Sequence, residues 1–459
     1  SRLTGMRLLD LPEECLLRLW PGSRVLLGLR VAKLLRGALG KDMEGERLPL
    51  VLVCAQTGSF DSSKCDEALT SAVRVLMSMN RLVSLQLGGS GPHAVELLCR
   101  LFHAGFKMRQ ISSLSLSRNK LSCKDLFPLI ASLQHCSTLQ CLDLSFNSID
   151  ADDLSNLIAI VDLKSLISLD LSHNACGGWF HQSQRQRLVE LTACGMQRKE
   201  PARAHKEWRR FDHMMRTRGA LPSYLDPLHS RRGIGDGGLH VLAPTLCNLS
   251  YLSHLDLACN GLGDRGMEAF QSFFKSCRHL AMISISSNSI TDVGISSMLE
   301  AIKRSQNFSL NLLDLHDNSI SDKGVHKLAE IVQMCRDLSQ LYLGRNVISD
   351  FGALQMSRAL GQSRLQVLEL GENRIMDEGA TALAEALTSC KSLAVLSLVE
   401  NHVGDKGALR FAETLELSSL RILDLRLNRI GMQGRRGLQQ SCRAKDQSCT
   451  VLLSSEFVM

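Results

Sequence analysis

The sequence predicts an α/β solenoid, in which short parallel strands line a concave face and helices cover the convex face. The pattern L-x-x-L-x-L-x-x-N-x-L-x-D-x-G is complete between Tyr251 and Ala269 and returns every 27 to 30 residues along most of the 459-residue chain. A unit of this length is too small to bury its own apolar face, so neighbouring units must stack into one continuous core. Ten copies share one asparagine position: Asn119, Asn147, Asn174, Asn260, Asn288, Asn318, Asn346, Asn373, Asn401 and Asn428.

Each part of the pattern predicts one element. The L-x-L segment forms a short strand, because a period of two puts both leucines on the buried face. The chain then turns, and we expect the asparagine to bond backbone groups that would otherwise be buried and unpaired. The following Asp-x-Gly is typical of a helix start, where we expect the carboxylate to cap its own helix. The pattern L-A-x-x-L, as at Leu383–Leu387, supplies the buried helix face.

These repeats are similar to those of the leucine-rich repeat family, and most closely to its long-repeat, ribonuclease-inhibitor-like subtype. The resemblance rests on the leucine spacing, on the repeated asparagine and on the Asp-x-Gly copies from Asp264 to Asp405. It implies a curved horseshoe and a non-enzymatic protein that binds other proteins, since proteins of this family commonly act as interaction scaffolds.

We divide the chain into four parts. Residues 1-47 form an N-terminal helical segment, residues 48-195 hold an N-terminal repeat array, residues 196-220 form a basic insertion, and residues 221-459 hold the regular C-terminal array and its cap. A short β-like run after Leu48 is the expected atypical first repeat.

The first part admits two interpretations. Asp10 before Leu11-Pro12-Glu13-Glu14 is typical of a helix N-terminus, and two short helices here would shield the open edge of the first repeat. The segment LPEECLLRLW followed by VLLGLRVAKLLRGAL also resembles a degenerate F-box. That resemblance implies docking on a ubiquitin-ligase adaptor, with the repeats acting as a substrate receptor.

The insertion carries most of the net charge. Between Arg185 and Arg218, ten Lys and Arg face four Asp and Glu, so this stretch supplies +6 of the +7 total. Pro201 is placed to start a helix with a stripe of Ala204, Trp208, Phe211 and Met215. Nearby, Leu188, Leu191 and Ala193 are interpreted as one eroded repeat, with Arg232 in the asparagine position of the next copy.

We interpret the insertion as a contact for one or more partner proteins, free or in a larger assembly. The alternatives are packing on the array, phosphate contacts to nucleic acid with Trp208 stacking on a base, and a membrane-surface helix. The candidate contact residues are Arg198, Lys199, Arg203, Lys206, Trp208, Arg209 and Arg210.

A second candidate surface is acidic. One outward strand position and the loops just beyond it carry Asp143, Asp170, Asp256, Asp314, Asp317, Glu369, Glu372, Glu400 and Asp424. Strands stacked in register would join these residues into a stripe on the concave face, which we interpret as a docking surface for a basic partner segment. The alternative is that acids simply keep the sheet soluble. His173, His254 and His316 also point outward, and we expect solvated side chains rather than a metal site.

The remaining observations bear on chemistry and compartment. The 16 cysteines include four that stand 11 residues before an asparagine of the series: Cys136, Cys277, Cys335 and Cys390. We expect reduced, buried thiols and an intracellular, cytoplasmic protein. No P-loop, G-x-S-x-G, H-E-x-x-H or C-x-x-C occurs, so we predict no enzyme, no cofactor and no metal. The C-terminal QSCTVLLSSEFVM lacks the acidic tail usual in GTPase-activating repeat proteins, and the positive net charge disfavours a ribonuclease inhibitor.

Overall fold

The structure is a computed structural model of the chain. It describes residues 50–53, 82–86, 111–122, 138–149, 165–174, 233–305, 309–444 and 449–453, together with a few positions between 123 and 137.

Within these residues, thirteen short strands form one parallel sheet, and their order in the sheet is their order in the chain. They are β1 Leu50–Val53, β2 Leu82–Gln86, β3 Ser113–Ser115, β4 Cys141–Asp143, β5 Ser168–Asp170, β6 His254–Asp256, β7 Met282–Ser284, β8 Leu312–Asp314, β9 Gln340–Tyr342, β10 Val367–Glu369, β11 Val395–Ser397, β12 Ile422–Asp424 and β13 Thr450–Leu452. This confirms the predicted α/β solenoid, including the early strand after Leu48.

Eight helices lie in the described C-terminal array, and each stacks on the helix of the next repeat. They are α1 Gly235–Leu246, α2 Asp264–Ser276, α3 Asp292–Arg304, α4 Asp322–Met334, α5 Asp350–Leu360, α6 Asp377–Ser389, α7 Asp405–Leu415 and α8 Met432–Ala444. No helix in the described part of the chain combines the length and the apolar character needed to cross a bilayer.

The core lies between the sheet and these helices. The middle residue of each strand from β3 to β12 is at most 2% exposed, and it packs against the apolar faces of the helices. Phe270, Phe273 and Phe274 of α2 fill the core with ring centroids 5.3–6.2 Å apart. Cys277 and Cys390 are 2% and 1% exposed, which confirms the expected buried thiols at helix ends. Burial of this continuous apolar layer is the main stabilising term.

The repeats are interrupted in the sequence between Asn174 and Ile234, a stretch here called the interruption, but the sheet is continuous across it. β5 pairs directly with β6, with Leu169 opposite Leu255 and Asp170 opposite Asp256. Leu188–Ala193 and Arg232, which the sequence predicts to belong to separate repeats, lie outside the described residues. The direct pairing leaves no place in the sheet for a strand between β5 and β6. α1 instead completes the repeat that β5 begins. The boundaries at 195/196 and 220/221 lie outside the described residues.

The asparagine series forms the predicted ladder. The Nδ2 of Asn318 donates to the carbonyl of Leu315 in its own repeat at 3.1 Å and of Ile285 in the preceding repeat at 3.2 Å. Its Oδ1 accepts the N–H of Ile290 at 3.0 Å. Each asparagine thus satisfies groups in two repeats, and leaving one such buried group unpaired costs about 1–3 kcal/mol.

The ladder is incomplete at the interruption. The Nδ2 of Asn260 donates to the carbonyl of Leu171 at 2.9 Å, so Asn260 follows Asn174 in the ladder despite the distance in sequence. The buried Oδ1 of Asn260, however, accepts no hydrogen bond from any residue that the structure describes. In the next repeat, by contrast, Oδ1 of Asn288 accepts the backbone N–H of Leu262 at 2.9 Å.

The prediction that the Asp of Asp-x-Gly caps its own helix is wrong. Asp292, the first residue of α3, accepts the N–H groups of Ser321 and Gly324 at 2.8 and 2.9 Å, and both belong to the start of α4. The hydroxyl of Ser321 donates to the same carboxylate at 2.6 Å. The N-cap of α3 itself is Thr291, whose hydroxyl accepts the N–H of Val293. Asp264, Asp322, Asp350, Asp377 and Asp405 reach forward in the same way.

These aspartates form a second ladder, at the helix N-termini. A negative group is favoured there by the helix dipole and by the unpaired N–H groups. The glycine of Asp-x-Gly makes room for it, since a Cβ on Gly324 would lie 2.5 Å from Oδ1 of Asp292. The Asp and the Gly of the pattern are thus partners across repeats.

Candidate partner-binding surface

The concave face is built from the first and third residues of each strand, because the middle residue points into the core. The third position carries six acids, here called the acid row: Asp143, Asp170, Asp256, Asp314, Glu369 and Asp424. Register places Asp143, Asp170 and Asp256 on three adjacent strands. Ser284, Tyr342 and Ser397 interrupt the rest of the row. The acids therefore form one group of three and three separate members.

Each member of the acid row also fixes the turn that follows its strand. One carboxylate oxygen of Asp143 accepts the N–H of Ser145 at 3.0 Å, and Glu369 accepts that of Gly371 at 2.7 Å. Asp170, Asp256, Asp314 and Asp424 accept the N–H two residues on in the same way. An acidic residue at this position therefore stabilises the turn after the strand in addition to carrying a charge.

The group of three is electrostatically strained. Burial raises the pKa of Asp170 well above its usual value, and the charges of Asp256 and Asp143 raise this pKa further. Hydrogen bonds from Ser172 act in the opposite direction. Three carboxylates on neighbouring strands therefore favour a positive charge nearby.

The other members of the acid row are buried. Asp314, Glu369 and Asp424 are 7%, 8% and 2% exposed. Glu369 accepts the N–H of Gly344 at 2.8 Å, and Asp424 is held by the guanidinium of Arg426 at 2.6 Å. These carboxylates are bound within the array rather than presented at its surface.

The loop acids stand further out, on a rim beside the asparagine ladder. Asp317, Glu372 and Glu400, here called the rim acids, each directly precede a ladder asparagine and have left-handed backbone angles with φ of 55°, 52° and 55°. The side chains of Asp317 and Glu372 are 41% and 40% exposed, and Glu400 is exposed as well. The left-handed backbone is shared by the residue before every ladder asparagine, so the rim is a regular feature of the fold.

One cation lies among the rim acids. Nε of Arg345 is 3.4 Å from Oδ1 of Asp317 and 3.4 Å from Oε2 of Glu372. Burial raises the pKa of Glu372, while Arg345 lowers it and Glu400 raises it. Because the three rim acids outnumber Arg345, the rim between Asp317 and Glu400 is net negative.

Sequence reasoning missed an apolar strip on the concave face. Leu312, Val367, Val395 and Ile422 occupy the first strand position, and with Tyr342 they form a cluster separate from the main core. All five side chains are only 2–8% exposed, so they pack closely side by side. The sequence did carry a signal, because the outward position is aliphatic in L-L-D-L, V-L-E-L, V-L-S-L and I-L-D-L.

The rim differs at the N-terminal end of the described array. The ring of His173 stacks on Phe146 with centroids 4.2 Å apart, and Arg118 lies 4.9 Å from the centre of the Phe146 ring. His173 is 8% exposed, so the expectation of a solvated histidine is wrong here because the stack covers it. His316 instead lies 3.6 Å from Glu369. No set of three His, Cys, Asp or Glu residues within the described ranges is arranged to hold a metal.

Two predicted functional segments fall outside the described residues. One is the basic insertion with its candidate contacts from Arg198 to Arg210, and the other is the F-box-like segment within residues 1-47.

Comparison with known proteins agrees with the repeat geometry. The Leucine Rich repeat family matches six segments, each containing one ladder asparagine: residues 135–157, 248–270, 306–329, 363–384, 389–412 and 416–438. None of the curated proteins compared with the chain matches it.

Two solved structures are similar at low identity. An internalin from Listeria monocytogenes is 16% identical with a TM-score of 0.44, over 94% of this chain and 95% of that chain. The plant peptide hormone receptor RGFR1, in complex with RGF2, is 15% identical with a TM-score of 0.33, over 76% of this chain and 52% of that chain. The six matched segments, the asparagine ladder and the parallel sheet together show that the chain contains leucine-rich repeats stacked into a solenoid.

Proposed function

We propose that this protein is a non-enzymatic scaffold or adaptor that binds a basic segment of a partner protein along the rim of its C-terminal array. The observation that carries the proposal is the net negative rim, in which Asp317 and Glu372 flank Arg345 and the charge of Glu400 acts on Glu372. Leucine-rich repeats commonly serve protein–protein interaction, which supports the class of function.

The rim acids are suited to this role because their backbone is fixed. Each precedes an asparagine whose side chain is bonded to two repeats, so little conformational entropy is lost when a partner orders the surface. Exposed charges of one sign also steer an oppositely charged partner and set its register. Lysine or arginine side chains of the partner would compete with Arg345 for the same carboxylates.

The insertion is proposed as a second contact, through Arg198, Lys199, Arg203, Lys206, Trp208, Arg209 and Arg210. Its support is its excess of positive charge and its apolar stripe. An intracellular location, the ribonuclease-inhibitor-like subtype and the F-box alternative remain predictions of the sequence.

A peptide-library selection tests the rim proposal. The full chain is immobilised and a random peptide library is selected on it, with a variant carrying Asp317→Asn, Glu372→Gln and Glu400→Gln as the counter-target. We expect enriched peptides rich in Lys and Arg that bind the unaltered chain more tightly than this variant.

The matched control neutralises three exposed glutamates away from the rim, Glu268, Glu378 and Glu416, which lie in or directly after helices. It removes the same charge and should keep the selected peptides bound. Selection of acidic or uncharged peptides, or equal binding to both triple variants, would show that the rim acids are not the docking surface.

A further inference from the structure

Two thiols meet at the ends of the first two helices after the interruption. Cys247 directly follows α1, and Cys277 directly follows α2. Each donates its backbone N–H to the carbonyl four residues earlier, which is Ala243 at 3.0 Å and Phe273 at 2.8 Å. Both cysteines therefore hold the same position at the C-terminus of neighbouring helices.

Their side chains lie close together. Sγ of Cys277 lies 3.6 Å from the carbonyl oxygen of Leu246, the last residue of α1 and the residue directly before Cys247. Neither cysteine is part of a disulfide in the structure. Cys277 is 2% exposed, whereas Cys247 is only half-buried, so a small molecule from solvent reaches Cys247 first.

This pairing is peculiar to these two helices within the described array. The residues that cap the next five helices are Ser305, Cys335, Gly361, Cys390 and Glu416. Cys335 and Cys390 therefore have no thiol at the equivalent position of the neighbouring helix. They provide reference thiols of similar burial in the same molecule.

We propose that Cys247 and Cys277 form an oxidation site for hydroperoxides, at which a disulfide joins α1 to α2. The sulfur of Cys247 attacks the O–O bond of hydrogen peroxide, giving a sulfenic acid and one water. The sulfur of Cys277 then attacks the sulfenic sulfur and loses its proton, and the oxygen leaves as a second water. Two thiols and one peroxide thus yield one disulfide and two waters.

The second step has a predictable dependence on pH. The neighbouring Cys247 thiol and burial both raise the pKa of Cys277, so its thiol stays protonated near neutrality. Because the thiolate is the attacking form, disulfide formation should accelerate as the pH rises. The bond would fix α1, at the point where the described array resumes, to the remainder of that array.

Peptide mapping of the full chain tests this site. Reduced protein is treated with hydrogen peroxide, its remaining thiols are alkylated, and the digest is searched for peptides joined through Cys247 and Cys277. We expect this linked pair to accumulate faster at pH 8 than at pH 7 and to disappear on reduction, while Cys335 and Cys390 stay available for alkylation after unfolding. Exposed Cys141 reports that the oxidant was active.

Two results would overturn the proposal. One is that Cys277 remains a free thiol under conditions that oxidise Cys141. The other is that Cys277 becomes linked to another cysteine as readily as to Cys247. Cys247→Ser should abolish the linked pair, whereas Cys335→Ser should leave its yield unchanged. The measurement on the unaltered chain decides the matter even if a variant folds poorly, and it is independent of partner binding.

Discussion

At the residue scale, Asp292 and Gly324 show how one helix is bound to the next. The carboxylate of one repeat occupies the space that a side chain on the glycine of the next repeat would fill. The sequence spacing predicted a helix start at Asp-x-Gly but assigned the carboxylate to the wrong helix. Spacing within one copy cannot show whether the carboxylate accepts from the N–H groups of its own helix or from those of the next helix. The asparagine ladder raised no such ambiguity.

Gly324→Ala tests this partnership. Alanine favours an exposed helix by up to about 1 kcal/mol over glycine, but here its Cβ would lie 2.5 Å from Oδ1 of Asp292 and 2.6 Å from Ile320. We expect the free energy of unfolding to fall by roughly 1–3 kcal/mol, as for other overpacked sites, in urea denaturation. In the control Gly237→Ala, no atom lies within 4 Å of the added Cβ, and stability should be unchanged or higher. Equal effects at both glycines would refute the Asp–Gly partnership.

The raised pKa of Asp170 predicts the sign of a pH effect on the stability of the protein. Its folded-state pKa lies above the unfolded value of about 3.9. The stability that protonated Asp170 contributes at low pH is therefore lost as the pH rises through the folded-state pKa. Asp170→Asn keeps an oxygen for the N–H of Ser172 and removes the repulsion. At pH 7 we expect the variant to have a larger free energy of unfolding than the unaltered protein. Below about pH 4 the variant should show no such gain in stability.

Asp424→Asn is the comparison for Asp170. Asp424 is paired with Arg426 and its side chain is 3% exposed, so neutralising it breaks a buried ion pair, at a cost of about 3–5 kcal/mol. Opposite signs for the two substitutions at pH 7 are expected in matched denaturation curves. A loss of stability with Asp170→Asn as well would mean that Asp170 experiences no net repulsion at pH 7.

At the element scale, the interruption is a feature of one repeat. The leucine pattern predicted the strands before and after it, but counting copies placed extra repeats near Leu188 and Arg232. Periodicity alone cannot show whether a long stretch lies between two repeats or inside one. The pairing of β5 with β6 and the bond from Asn260 to Leu171 place it inside the repeat that starts at β5 and ends with α1.

Deleting Gln197–Arg218 tests the independence of the array from the insertion. Because β5 and β6 are bonded directly, we expect the thermal midpoint to move by no more than a few degrees, equivalent to about 1 kcal/mol. Calorimetry of both chains is the measurement. Leu341→Ala, at a fully buried strand position, should cost about 2–5 kcal/mol and shows that the assay detects core damage. A collapse of the transition on deletion would place these residues in the core.

At the scale of the whole molecule, the fold followed from the sequence because one apolar pattern, repeated in phase, leaves one way to bury the leucines. The candidate surface was predicted less completely. Asp317, Glu372 and Glu400 were identified from the sequence, but Arg345 between them was not, because a cation in an adjacent repeat gives no signal in a single copy. The burial of Asp314 and Glu369 depends on neighbours that only the stacked structure brings together.

The affinity of a selected basic peptide for the rim is the most direct test of the proposed function. Exposed ion pairs contribute about 0.5 kcal/mol each, so neutralising Asp317, Glu372 and Glu400 together should weaken binding by about 1.5 kcal/mol, or roughly tenfold. Titration calorimetry at low and at physiological salt should show that this difference shrinks as salt rises. The variant neutralised at Glu268, Glu378 and Glu416 should bind like the unaltered chain. Equal dissociation constants for all three proteins at both salt concentrations would contradict the account.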